Sequence, residues 1–291
     1  MGAKAKRRAY LYLFLSITIL FILYCLINIE GYSEASTGIK LDKYIQRKNT
    51  DNTPQEISGV PLVIYRTWAN DILPMRMKEM VDRSIRLTPE FDNYLYTDED
   101  CYNFIKDNFE PNVLNAYRCL KPGAYKADLW RYCILYKNGG VYIDMKLELM
   151  TSFTEMIRSN REIFVWDKLA PDNFAVWNGF LATPPSNPIF KECIDEIVEN
   201  CKNRNYRRSP LDVTGPNLLG RILMAYKGDE FIKASPFKHD IKGMIRYNDI
   251  VIFKEYDGYR EDQKRTTIVN VKYYADLWNE GDIFDTTIDF L

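Results

Sequence analysis

Histidine is nearly absent from this 291-residue chain, and His239 is the only one. A Ser-His-Asp or Cys-His hydrolase would have to use it. No GxSxG turn accompanies it and no cysteine stands in a nucleophile context, so His239 reads as a surface or structural residue. Neither GxGxxG nor GxxxxGK[ST] occurs, which removes Rossmann-type dinucleotide binding and P-loop chemistry as leading options. Zinc-ligand spacings are missing too, because the six cysteines include no CxxC pair. Cys25 lies in an apolar run. The other five, Cys101, Cys119, Cys133, Cys193 and Cys201, leave open a disulfide or two or a set of buried free thiols. No Asn-x-Ser/Thr sequon, internal repeat or low-complexity block is present. Positive charge is not in excess, with 39 Lys plus Arg against 40 Asp plus Glu, and no stretch is basic enough for a nucleic-acid face, so nucleic acid is not expected as a partner. At 46% hydrophobic residues the chain is neither disordered nor collagen-like.

What is there begins with a membrane signal. Residues 10–29 (YLYLFLSITILFILYCLINI) carry no charge, and at 1.5 Å per residue they span roughly 30 Å, the thickness of a bilayer core. A cleaved signal peptide has a shorter apolar run and a small-residue cleavage site, whereas this run exits into Glu30-Gly31-Tyr32, so a retained anchor is expected. Lys4, Lys6, Arg7 and Arg8 precede it and leave the rest of the chain at a net −5. That asymmetry implies a cytosolic tail over 1–9 and a head across the membrane, in a Golgi or ER-like lumen. Residues 30–59 are polar and lack apolar periodicity, as a stem would. Residues 60–291 then suffice for one domain with a substantial core.

Along that head, Pro61–Tyr65 and Phe91–Tyr96 read as strands, and Met75–Arg86 and Cys101–Asn108 as helices. The strand, helix, strand, helix order predicts an α/β domain with a mostly parallel central sheet. Lys121–Gly140 is the best-defined segment. Pro122 suits a helix start and Asn138-Gly139-Gly140 a helix end. Ala127, Trp130, Cys133 and Ile134 make an apolar stripe, and Asp128 and Arg131 fall together on an adjacent face. Val141–Asp144 reads as a strand whose last residue is a carboxylate, the end where ligands collect in open α/β sheets. Further strands are expected at Glu162–Trp166, Phe174–Leu181 and Asp249–Phe253, with helices after Asn187 and after the Thr214-Gly215-Pro216 turn.

The run Ala127-Asp128-Leu-Trp-Arg131 through Gly139-Gly140-Val-Tyr142-Ile-Asp144 resembles the signature of family 32 glycosyltransferases, the DXD-motif sugar transferases related to yeast initiating α-1,6-mannosyltransferase. The similarity extends to Val63–Trp68, Asn178 and Thr214-Gly215-Pro216. It implies a GT-A-like fold, a UDP- or GDP-sugar donor, a divalent metal (Mn²⁺, or Mg²⁺), and hexose transfer with retention to a glycan or glycolipid acceptor. It also implies site residues: Asp144 as metal ligand, Asp128, Arg131 and Asn178 in the catalytic centre, and Trp68, Tyr142, Lys146 and Trp278 around the donor. The chemistry agrees, because a nucleoside diphosphate leaving group is anionic and a carboxylate approaches it through a bridging cation.

The DxD pattern reads here as Asp144-Met145-Lys146, an ammonium where a second carboxylate is expected. In an extended strand Glu148 is the next residue on that side. Two readings follow. Either Asp144 holds the metal with water, phosphate oxygens and Glu148, or Lys146 supplies part of the positive charge and metal dependence weakens. The first is preferred on sequence, since hard cations at phosphates need only one or two carboxylates. The sequence also leaves open a sphingolipid-headgroup mannosyltransferase and a non-catalytic carbohydrate-binding or scaffold protein with a degraded motif.

Overall fold

The computed structural model describes residues 55–167, 175–240, 243–266 and 272–290, together with two short strands, Ile39–Lys40 and Tyr44–Gln46. The expected basic tail (1–9) and anchor (10–29) lie outside the described residues, as does most of the stem. Among the described residues no helix is long and apolar enough to cross a membrane.

The head alternates strands and helices through its first half: β1 (Val63–Thr67), α1 (Met75–Leu87), β2 (Asp92–Tyr96), α2 (Asp98–Asn108), α3 (Pro111–Cys119), α4 (Gly123–Asn138) and β3 (Gly140–Ile143). Local chemistry sets several of these boundaries. The acidic turn Thr97–Asp100 is a capping box, in which the Thr97 hydroxyl accepts from the Asp100 amide and the Asp100 carboxylate accepts from the Thr97 amide. α4 stops at Gly139, and the chain enters β3 through Gly140 at φ +98°. A Cβ at Gly140 would lie 2.9 Å from the Val63 carbonyl oxygen, so only glycine lets β3 close against β1 there.

β1 pairs in parallel with both β2 and β3, as the alternation predicts. The rest of the sheet departs from the expected mostly parallel form. β4 (Leu147–Leu149), β5 (Ile163–Asp167), β6 (Val176–Thr183), β7 (Phe237–His239), β8 (Met244–Tyr247) and β9 (Ile250–Glu255) complete a ten-stranded mixed sheet. Its order is Tyr44–Gln46, β2, β1, β3, β6, β5, β7, β8, β9, β4. All pairings beyond β3 are antiparallel except β5 with β7. The reason is connection length. β8 and β9 are joined by Asn248 and Asp249 alone, with Asn248 at φ +51°, and such short links make hairpins, whereas a parallel crossover needs a dozen residues or more.

The sheet curls. β3 and β4 are separated only by residues 144–146 yet occupy the fourth and last places in the order. Three residues reach roughly 10 Å, so the far edge of the sheet must bend back to the end of β3. Tyr44–Gln46, within the stretch expected to be stem, adds antiparallel to β2 and extends the sheet at the other edge.

α4 is the central helix. Instead of a single apolar stripe, every residue from Asp128 to Leu135 is buried, because α4 packs on α6 (Pro188–Lys202), α3 and the sheet together. Asp128 and Arg131 are therefore interior groups. Trp130, Tyr132, Ile134 and Leu135 join the larger core on this face of the sheet, while Ile64, Val141, Phe153 and Phe180 fill a second core on the opposite face. The five described cysteines are buried, and none forms a disulfide with another of the five.

Candidate active site

Because β1, β2 and β3 run parallel, their carboxyl ends lie on one side, and Trp68, Thr97 and Asp144 follow them directly. β6 enters from the same side, with Phe180 opposite Ile143. The Asp144 amide donates to the Gly179 carbonyl at 2.8 Å, extending the ladder by one bond. A Cβ at Gly179 would lie 2.6 Å from Asp144 Oδ2 and 2.3 Å from the Trp177 ring, so the glycine makes room for both.

Four charged groups converge here. Asp128 Oδ1 accepts from Asn178 Nδ2 at 2.8 Å and Oδ2 from the Thr214 hydroxyl at 2.8 Å. Arg131 stands 3.4 Å from Asp128 and 3.5 Å from Asp144, donates to the Asn178 carbonyl at 2.7 Å, and lies over the Tyr142 ring at 4.4 Å. Asp144 Oδ1 accepts from the Tyr142 hydroxyl at 2.9 Å, and Oδ2 faces Lys146 Nζ at 3.7 Å. Lys146 rests its ammonium 5.1 Å from the Trp177 ring centroid. The side chains of Arg131 and Asp128 are 6% and 10% exposed, those of Asp144 and Lys146 20% and 23%. Asp144 and Lys146 are thus the charged pair a ligand reaches, with Asp128 and Arg131 behind them.

Burial works against the charge on both carboxyls, with opposite outcomes. At Asp128 burial dominates and raises the pKa, with Asp144 adding to it and Arg131, Thr214 and Asn178 partly opposing. At Asp144 the burial penalty is outweighed by Arg131, Lys146 and the Tyr142 hydroxyl, which hold the carboxyl below its ordinary value and keep it ionised. Burial holds the Tyr142 phenol well above the ordinary range, so it remains a donor.

Of the residues expected from sequence, Asp128, Arg131, Tyr142, Asp144, Lys146 and Asn178 form one contiguous set. Glu148 does not join it. Residues 144–147 make a turn, closed by the Leu147 amide on the Asp144 carbonyl at 3.1 Å, so strand alternation does not run from Asp144 to Glu148. In β4 Glu148 sits opposite Lys254, bonded at 2.9 Å, with Arg83 at 3.7 Å. Trp68 packs edge-on against Tyr259 at 6.4 Å, in the small core that also holds Met145. The Trp278 indole N–H is taken by the Tyr206 carbonyl at 2.8 Å. From the same helix, Tyr274–Asn279, Tyr274 packs on Tyr125 at 5.8 Å.

Sequence reasoning missed Trp177, although its place beside Asn178 was a usable signal. The indole carries Lys146 and is stacked at 5.2 Å by His239, whose Nδ1 is 3.0 Å from Asp167 Oδ1. The lone histidine is structural, and it backs the shelf under Lys146. A separate cavity of about 390 Å³, lined by Asn160, Glu162, Phe231 and Ser235 among others, contains none of these residues.

A divalent metal fits this donor set poorly. Among the described residues Asp144 is the one carboxylate at the front of the site, its oxygens face Tyr142, Arg131 and Lys146, and Glu148 is engaged by two other cations. Among the described residues no group of three or more His, Cys, Asp or Glu is placed to hold an ion.

Residues 74–163, which include α4, β3 and Asp144, match the family described as the glycosyltransferase sugar-binding region containing the DXD motif. Over these residues the chain is similar to DXD-motif glycosyltransferases. Its relatives include the mannosyl phosphorylinositol ceramide synthase SUR1 of Saccharomyces cerevisiae, 28% identical over 64% of this chain and 47% of that protein. The inositol phosphoceramide mannosyltransferase 2 of Schizosaccharomyces pombe is 30% identical over 51% of this chain and 42% of that protein. The initiation-specific alpha-1,6-mannosyltransferase of Candida albicans is 25% identical over 76% and 62% respectively. The chain spans about half the length of the first two of these relatives.

Proposed function

We propose that the chain transfers a hexose, of the mannose type, from a UDP- or GDP-sugar to a glycolipid or glycan acceptor, with retention at the anomeric carbon. The observation that carries this reading is the ionised Asp144 at the carboxyl end of β3, exposed beside Lys146 and braced from behind by Arg131 and Tyr142. The sugar hydroxyls bond to Asp144 while the diphosphate lies toward Lys146. The bond from the anomeric carbon to the phosphate oxygen breaks, and the nucleoside diphosphate leaves with the electron pair. The acceptor oxygen bonds to the same carbon, and its proton passes to the departing phosphate oxygen. Asp128 and Asn178 act through Arg131, fixing the guanidinium against Asp144.

Two aromatic pairs lie near the site, Trp68 with Tyr259 in the small core that holds Met145, and Tyr125 with Tyr274 within electrostatic reach of Asp128. Their role is to keep water from the activated sugar, favouring transfer over hydrolysis. The named activities of the yeast relatives support a mannosyl donor, and two of those names favour an inositol phosphoceramide headgroup as acceptor. The anchor over residues 10–29, with a lumenal head in a Golgi or ER-like compartment, belongs to the same proposal and suits an acceptor embedded in a membrane.

A screen of UDP- and GDP-sugars against the full chain, read by nucleotide release with and without a lipid extract, tests it. One donor should turn over, and Asp144→Ala should abolish the signal. No release from any donor contradicts the reading.

A further inference from the structure

We propose that Lys146, seated on the Trp177 indole beside Asp144, neutralises the donor's diphosphate in place of a divalent ion, so that this chain binds its nucleotide without metal. The inference rests on the proposed nucleotide-sugar reading and goes beyond it by naming what supplies the positive charge.

The first argument is the charge count. A DXD motif places carboxylates at both positions, and a divalent cation reconciles them with the diphosphate. Exchanging Asp for Lys at the second position changes the formal charge from −1 to +1. That difference of two units is the charge a divalent ion would bring. Counted formally, Asp128, Asp144, Arg131 and Lys146 sum to zero, so no carboxylate among them is left over for a divalent ion to balance.

The ligands give the second. An ion bound at Asp144 Oδ2 would lie close to the Lys146 ammonium, itself 3.7 Å from that oxygen, with Arg131 beside the other oxygen. Like charges in a half-buried site repel strongly. Glu148, the carboxylate expected to offset them, is held by Lys254 and Arg83.

Placement is the third. Lys146 is not a loose surface cation. The Trp177 ring holds its ammonium at 5.1 Å, and that ring is fixed by His239 at 5.2 Å, itself paired with Asp167. A lysine ammonium is a compact point charge suited to a phosphate oxygen, and at 23% exposure it can reach one.

Calorimetric titration of UDP and GDP into the full chain, in EDTA and again in MnCl₂, tests the proposal. One nucleotide should bind in EDTA with a Kd within about threefold of its value in Mn²⁺. Lys146→Asp, which restores the carboxylate pair, should weaken binding in EDTA by at least about tenfold and recover it in Mn²⁺. Should that variant fail to fold by circular dichroism, Lys146→Gln serves instead, with a loss in EDTA expected from removal of the charge. A wild-type affinity that collapses in EDTA and returns with Mn²⁺ overturns the inference, as does a folded Lys146 variant with wild-type affinity in EDTA. If neither nucleotide binds in either condition, the nucleotide-sugar reading itself fails, and the inference fails with it.

Discussion

Arg131 and Asp144 stand 3.5 Å apart, the guanidinium from the middle of α4 and the carboxylate from the first residue after β3. The contact ties the central helix to the end of the central strand. It also leaves Asp144 charged while Asp128, paired with the same guanidinium nitrogen, is pushed toward neutrality by burial. Much of the site's behaviour follows from this arrangement.

Removing the shared cation should be costly. Arg131→Ala leaves two buried or half-buried carboxylates facing each other, a defect that typically costs about 3–5 kcal/mol. Arg131→Lys keeps the charge but lacks the planar fork that serves Asp128, Asp144 and the Asn178 carbonyl at once. Urea unfolding should show the large loss for alanine and a smaller one for lysine, with nucleotide release impaired in both.

The pH dependence of stability has a definite sign. Asp144 titrates below its ordinary value in the folded chain, so its contribution is present above about pH 3.9 and is lost as pH falls through the lowered folded value. Asp128 is displaced upward, so its contribution runs the other way, lost as pH rises through its raised value. Asp144→Asn removes the first component. The gap in Tm between wild type and this variant should narrow between about pH 5 and about pH 3. A constant gap across that range would show that Asp144 is not held in its charged form.

Gly179→Ala tests the packing beneath the site. The added methyl meets Asp144 Oδ2 and the Trp177 ring well inside contact distance. Overpacking of this kind costs about 1–3 kcal/mol, and a displacement of roughly 1 Å at the reacting groups costs about a hundredfold in rate. A folded variant with greatly reduced turnover is expected, checked by circular dichroism and nucleotide release.

Glu148→Gln separates the two readings of the motif. In β4 the carboxylate serves Lys254 and Arg83 among the described residues, so its loss should cost about 1 kcal/mol or less. Nucleotide affinity and rate should stay within about twofold of wild type. A large fall in Mn²⁺-dependent activity would return Glu148 to the metal-ligand role that strand alternation suggests.

The parts of the fold legible in sequence are those set by local chemistry: α4 between Pro122 and the Gly139-Gly140 pair, and the parallel trio around β1. What local patterns do not carry is the curl. Because three residues return the chain from β3 to the far edge of the sheet, Glu148 turns from Asp144 to Lys254, and no periodicity announces a turn inside Asp144–Leu147. The strand at Asp249–Phe253 was legible, but its partner β8 and the hairpin between them stood in an irregular aromatic region and were not. Asp128 and Arg131 were placed together by helical spacing. Their burial needed the packing of α6 and the sheet, which lies beyond any local pattern.

The most direct test of the account follows radiolabelled sugar from the donor that the screen selects into a membrane lipid extract, with wild-type chain and with Asp144→Asn. The account predicts label in the glycolipid fraction with wild type, in step with nucleotide release, and none with the variant. Label that stays on the nucleotide, or that appears only as free sugar, would contradict it.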